Sequence, residues 1–557
     1  MNPGQERLII LARPTPEWME ARMIRVLVII VFLFFDAPSK AEVNPSRPRL
    51  IIILSIDQMR ADHLVRYAPL YEHGFARLLR EGVHFKTADI NYAGSSTGPG
   101  HATLGTGTYP WKNGIVSNNY RERASGKRVY CVADSMAEPI EGDGGKMSPR
   151  NLLVTGLGDW LKTASPNSRV ISISYKDRAA ILMGGKHPDA AYWYDRRSGR
   201  MSSSSYYLAA LPAWMQAFNA SGWISKNLPP VWTKLLSDSI YTPFGPDDMP
   251  GEAPWGGSRS FPHGIEPGRE IGLLFSTPWG NDFLFDVARA AIRGEQLGKR
   301  GTVDLLWLSL STTDNIGSTF GPDSHEMMDN LLRIDVALGR FLSDLELSHG
   351  AGGFILALSG DHGVLPLPEH ERMSGNQAAR RFNNRNSVER AVKDVDSILR
   401  HDFGIGYRVI RVGRIDSSVF CIPGITGPMI EGRLRAALLA VDGVADVYFR
   451  TELTDPSVRD RPYLQKYRHS YHPERSPDYF IRDCEYCLIS PDSIGTSHGT
   501  PYDYDTKVPL VFWGTGRAPL VVERTVHTVD LAATVAAFYN LPTPGNLDGI
   551  ALKEIMN

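Results

Sequence analysis

The chain has four cysteines in 557 residues, no excess of either charge sign, no long apolar run, no internal repeat and no low-complexity tract. Lysine plus arginine (60) nearly cancels aspartate plus glutamate (61), so the overall charge gives no sign of a polyanionic partner such as nucleic acid. A site for an anionic ligand therefore needs locally placed cations. The apolar stretch at 26–35 falls well short of the roughly 20 residues of a helical membrane span. No stable membrane span is expected anywhere in the chain. The cysteines invite disulfides without demanding them. Cys484 and Cys487 form a lone CxxC, with neither the second ligand pair of a structural zinc site nor the strand-to-helix setting of a redox site. A local disulfide or two ordinary thiols both remain open, and Cys131 and Cys421 read as either paired or free.

What is present is ordinary in bulk and informative in detail. A hydrophobic content of 42% with 22% charged residues suits a soluble globular protein, and the length suits one large, elaborated α/β domain or two smaller ones. Arg22 and Arg25 precede the apolar run, and Ala37-Pro38-Ser39-Lys40-Ala41 follows it. That order reads as a secretory signal peptide over residues 1–41, which implies a periplasmic or secreted product. The other reading is an interfacial anchor. Met23 stands as an alternative start, and the lack of a nearby cysteine argues against a lipid anchor.

Apolar runs at 49–56, 168–174, 303–310, 354–358 and 508–513 predict buried strands. Apolar spacing at Met327, Leu331, Ile334, Leu338, Phe341 and Leu342 predicts a helix over 324–347. Further helices are expected at 71–81, 388–399 and 429–441, and strands at 408–412, 418–422 and 445–450. Alternation of strand and helix argues for a mainly parallel sheet with helices on both faces. Several strands end abruptly at a small or polar cluster, the position where open α/β sheets bind ligands.

The clusters carry a coherent chemistry. Asp57 ends IIILSIDQ, Lys176 and Arg178 lie in SYKDR, Asp314 in STTDNIGS, Asp361 and His362 in LSGDHGV, and His498 in GTSHGT. Thr97 opens a small-residue helix in SSTGPGHAT. By itself Thr97 is a plain helix N-cap. Beside a metal it becomes a nucleophile, because coordination lowers the pKa of an otherwise inert hydroxyl. Oxygen and nitrogen donors at Asp57, Asp361 and His362 suit one Zn2+ next to Thr97. Asp314 and His498 suit a second, and two metals about 4 Å apart clamp the attacking and leaving oxygens of an in-line displacement.

In this order, the segments resemble the alkaline phosphatase superfamily, specifically the phosphate-irrepressible, PafA-type alkaline phosphatases and their nucleotide pyrophosphatase/phosphodiesterase relatives. The likeness runs from Asp57 to the closing HTVDLAATVAAFYNLP segment. It implies an alkaline-phosphatase-like α/β catalytic domain over 42–557, with a loop-rich insertion at about 200–290 and an α+β insertion at about 375–455. It also implies two Zn2+ per chain and hydrolysis of small-molecule phosphate esters through a phosphothreonine on Thr97. Asn118 falls where the family places an amide that binds a phosphoryl oxygen, with Asn119 beside it as the competing choice. The Lys176/Arg178 pair marks the monoesterase branch, since diesterases lack it; on surface statistics alone the two would be solvated charges. One residue departs from the pattern. Ser318 stands where the family carries a histidine ligand, which leaves the second metal Asp314 and His498 alone, with water or His325 as replacement or the site degenerate. A phosphodiesterase of the same fold and a metal-impaired phosphate-binding relative are the alternatives.

Overall fold

The computed structural model describes residues 47–143 and 145–556, so the leader expected at 1–41 lies outside the described residues. The centre is an 11-stranded sheet. Its path runs Leu520–Val522, Val83–Asp89, Lys507–Trp513, Phe354–Ser359, Leu50–Ile56, Asp304–Leu310, Val170–Ser174, Ala190–Asp195, Arg200–Ser204, Pro139–Ile140, with Val526–His527 also pairing Val83–Asp89. The strands from Phe354–Ser359 to Ala190–Asp195 are parallel. Lys507–Trp513 is antiparallel to both neighbours, and Arg200–Ser204 is antiparallel at the other flank. The sheet is therefore mixed around a parallel centre. An apolar run reports burial on both faces and carries no direction, so the antiparallel strand looks like the rest in sequence.

Alternation assigns the two faces. Leu50, Ile52, Leu54 and Ile56 join one core with Leu306, Leu308 and the His325–His349 helix. Ile51 and Ile53 join the opposite core with Leu305, Trp307 and the Asp530–Phe538 helix. The expected helix at 324–347 is present as His325–His349, with the Ser324 hydroxyl accepting from the Met327 N–H.

Two stretches differ from the sequence expectation. Arg200–Ser204 belongs to the sheet and Trp279–Gly294 is a helix packed on it, so the irregular elaboration is confined to the residues between them. In the 375–455 region, helices Arg385–Asp402 and Gly427–Leu439 pack on strand Val444–Phe449 around a separate core. The strand expected at 418–422 is instead a 3-10 helix, Ser417–Cys421, because Asp416 accepts from the Ser418 N–H and starts a turn. The strand expected at 408–412 shrinks to Ile410–Arg411 paired with Arg414–Ile415. Cys484 and Cys487 form a disulfide, while Cys131 and Cys421 are free.

Candidate active site

Four adjacent parallel strands deliver the chemistry from their carboxyl ends. Val170–Ser174 leads to Lys176, Asp304–Leu310 to Asp314, Leu50–Ile56 to Asp57, and Phe354–Ser359 to Asp361 and His362. Residues separated by up to 305 positions thus meet at one sheet edge. Thr97 enters from the side as the first residue of helix Thr97–Thr106, where its own backbone N–H and the helix dipole favour an anion.

The glycines around Thr97 have a steric reason. A Cβ on Gly100 would lie 2.5 Å from the Asp361 carbonyl oxygen, and one on Gly98 would lie 2.9 Å from Asn118 Oδ1. The helix and the Asp361–His362 loop can approach this closely only without side chains there. The Gly98 N–H donates to Asn118 Oδ1 at 2.7 Å, which fixes that amide and leaves its N–H groups as donors. Asn119, by contrast, begins an exposed strand paired with Tyr130. Of the two, only Asn118 is held beside Thr97.

Both expected cationic side chains reach Thr97. Lys176 Nζ lies 3.3 Å and Arg178 Nη2 3.4 Å from Thr97 Oγ1. Lys176 also bridges Asp57 Oδ2 at 2.5 Å and Asp314 Oδ2 at 2.6 Å, and all three side chains are largely or fully buried. Burial, with the neighbouring Asp361 charge, pushes Asp57 up to about 7, against the pull of Lys176. Burial likewise opposes ionisation of Asp314, but Lys176, His498 and His362 outweigh it and bring that carboxyl down to about 2.

The donor set fits divalent cations. Two groups, Asp57/Asp361/His362 and Asp314/His362/His498, each bring their ligand atoms within 4.8 Å of one another. Asp57 Oδ1, Asp361 Oδ2 and His362 Nε2 are buried and lack a hydrogen-bond partner. Leaving such atoms unpaired costs about 1–3 kcal/mol each, and a shared cation relieves all three. Both imidazoles are pre-oriented. His362 Nδ1 faces the Gly363 carbonyl at 2.9 Å and His498 Nδ1 the Ser95 carbonyl at 2.8 Å, which turns each Nε2 into the site. Oxygen and nitrogen donors of this kind suit zinc.

The family model described as "Type I phosphodiesterase / nucleotide pyrophosphatase" matches residues 51–401. The chain belongs to that family. It is 32% identical to alkaline phosphatase PhoV of Synechococcus elongatus over 96% of this chain and 100% of that one. It is 34% identical, over 94% and 97%, to a Myroides odoratus protein named a calcium-transporting ATPase. The crystal structure of wild-type alkaline phosphatase PafA superposes with a TM-score of 0.83 at 29% identity, covering 92% of this chain and 99% of that one. Within the type I phosphodiesterase family, this chain thus sides with the PafA-type alkaline phosphatases.

Three residues at the site were given no role by the sequence reading. His101, four residues after Thr97, places Nδ1 2.9 Å from the Thr97 carbonyl and 3.2 Å from Asp361 Oδ2. Its i,i+4 spacing from Thr97 was an available signal. Asp505 Oδ2 accepts from the N–H groups of Gly499 and Thr500 and so holds the His498 loop. Gln58 donates from Nε2 to Asp314 Oδ1 at 2.7 Å and to Ser318 Oγ at 3.0 Å. Ser318, one turn after Asp314, therefore faces the second cation group through Gln58. His325 does not replace it: its ring is tied to the Gly245 carbonyl at 3.0 Å and to Asp247 at 3.3 Å, and it belongs to neither cation-holding group.

Proposed function

We propose that this family member is an exported, zinc-dependent phosphomonoesterase acting on small-molecule phosphate esters through a phosphothreonine on Thr97. The observation that carries the reading is the convergence of Lys176 and Arg178 on Thr97 Oγ1. An ammonium and a guanidinium there bind two non-bridging oxygens that only a dianionic monoester offers, as charge-assisted hydrogen bonds. When bound, two zinc ions supply Lewis-acid charge and lower the pKa of hydroxyl or water in contact with them.

The chain's own residues do the rest. Asp57, Asp361 and His362 would hold one cation, and Asp314 and His498 the other. Thr97 loses its proton to solvent, and Oγ1 attacks phosphorus. The new Thr97–phosphorus bond forms as the bond to the leaving alkoxide breaks, and the alkoxide takes a proton from water. The side-chain N–H groups of Asn118 and the Thr97 backbone N–H donate to the transferring oxygens, and Lys176 and Arg178 neutralise the developing charge. Water then attacks phosphorus, the Thr97–phosphorus bond breaks, and the proton released by that water returns to Thr97 Oγ1. Orthophosphate leaves.

Hydrolysis rates on an aryl phosphate and a bis-aryl phosphate test the reading: the monoester should be strongly preferred. A preference for the diester would favour the phosphodiesterase alternative. Ser318 keeps a second reading in play, a phosphate-binding relative with an impaired second cation, because a neutral hydroxyl held by Gln58 is a poor zinc ligand. Protein that binds one zinc and hydrolyses neither ester at any zinc concentration would establish that reading.

A further inference from the structure

Gln58 is fully buried and sits at φ +67, a left-handed conformation that a residue with a side chain adopts at a cost. The surroundings over-determine it. Its backbone N–H donates to Asp361 Oδ1 at 3.0 Å, which anchors it to the first cation group. Its side chain reaches across to the second group, where Nε2 joins Asp314 Oδ1 to Ser318 Oγ. Space for that reach is provided one residue before Ser318. A Cβ on Gly317 would stand 2.1 Å from Gln58 Oε1, so any larger residue there would push the amide out.

Asp314, Gly317 and Ser318 share one face of helix Thr312–Phe320, so the amide lies in a slot cut by that helix. A histidine in place of Ser318 would reach well past the Ser318 hydroxyl and compete for the slot. A carboxylate ligand left without its neighbouring ligand loses orientation, and a hydrogen-bond donor on the carboxylate restores it; here the donor sits on Oδ1, the oxygen 3.8 Å from His498 Nε2. Asp314 Oδ1 takes the Gln58 amide, while Oδ2 is the oxygen shared with Lys176.

Building on the two-cation reading above, we propose that Gln58 is the positioning residue of the second cation site, compensating for the ligand that Ser318 does not supply by fixing the Asp314 carboxylate. It acts through Asp314 and Ser318 and does not itself touch substrate. The inference deepens the proposed function, because it explains how a site with two first-hand protein ligands holds a cation.

The test is a double-mutant cycle read as cation affinity, with zinc titrated calorimetrically into chelator-stripped protein and the first, tighter event as internal reference. Gln58→Ala should weaken the second event about 10- to 100-fold and leave the first unchanged. Gly317→Ala should do the same, although in an exposed helix that change is mildly stabilising; it carries the test if Gln58→Ala fails to fold. In a Ser318→His background, where the imidazole coordinates directly, either change should cost far less. Equal losses in both backgrounds, or no loss in the natural one, overturn the proposal for Gln58 while leaving two-cation binding intact. A natural protein that takes up only one zinc at saturation overturns the two-cation reading itself, and this inference with it.

Discussion

Two clusters of buried carboxyl groups in this molecule differ in the charge around them; burial pushes Asp57 of the active-site cluster up to about 7, but its neighbours are held down. At the active site, Asp314 is held down to about 2 and Asp361 is also held below the ordinary range; burial opposes both, and Lys176 together with His362 and its neighbours prevails. Elsewhere Glu252 and Glu326 are equally inaccessible, yet burial pushes Glu252 up to about 9, with Glu326 adding to it, and burial raises Glu326 as well. Glu326 lies 2.7 Å from His263, whose pKa burial lowers to about 4, so burial disfavours charge on both partners. Among the described residues, the three-ligand groups able to hold a cation all fall in the first cluster. A buried carboxyl alone is a proton store. Companion positive charge, oriented imidazoles and unpaired oxygens suit it to holding a metal ion.

That contrast can be broken in several ways, and the largest effect is expected at Thr97. Thr97→Ala should abolish turnover while zinc remains on Asp57, Asp361 and His362, because the carboxylates and imidazoles do not depend on the hydroxyl. Loss of zinc together with activity, measured by metal analysis of the purified variant, would show that the hydroxyl is itself indispensable to the cation site.

Next in size is the pair of cations. Lys176→Ala with Arg178→Ala should lower monoester hydrolysis at least about a hundredfold, since two charge-assisted contacts of about 1.5–3 kcal/mol each are lost at about 1.4 kcal/mol per tenfold. Diester hydrolysis should fall far less. Equal losses on aryl phosphate and bis-aryl phosphate would mean that the pair serves folding rather than recognition.

Ser318→His sharpens the comparison within the active-site cluster. The first group has three ligands with unpaired atoms; the second shares His362 and has Ser318 turned toward Gln58. The histidine variant should tighten the second zinc by about tenfold or more and raise turnover at limiting zinc. Natural protein that purifies with two tightly held zincs, unimproved by the change, would contradict this account of Ser318.

The smallest effect lies in the proton-storing cluster. Glu252 releases its proton near 4.5 when unfolded and near 9 when folded. The stability it contributes is therefore present below about pH 4.5 and is lost as pH rises toward about 9. Glu252→Gln should remove this dependence, raising Tm at pH 9 relative to natural protein by a few degrees and changing it little at pH 5. Thermal melts at both pH values decide, and added zinc should leave the difference between the two proteins unchanged. A zinc-dependent difference would mean that this cluster, too, holds a cation.

Much of this was legible in the chain because strand ends are punctuated. Asp57, Lys176, Asp314, Asp361 and His362 each follow an apolar run, and parallel pairing brings such ends to one edge whatever their separation in sequence. Gln58 had no such mark: its role depends on a left-handed backbone and on the gap at Gly317, neither of which shows as a pattern. The antiparallel course of Lys507–Trp513 was hidden for a related reason, since buried strands of either direction share one composition. The segment 418–422 misled because its apolar residues fit a strand, while the local capping by Asp416 decided for a 3-10 turn.

The central claim is that Thr97 carries the phosphoryl group. The most direct measurement is to mix zinc-loaded protein with an aryl phosphate, quench in acid during turnover, digest, and locate phosphate by mass spectrometry. The account predicts phosphate on Thr97 in the SSTGPGHAT segment, absent from Thr97→Ala. Phosphate on Ser95 or Ser96, or steady turnover with no phosphorylated peptide, would contradict it.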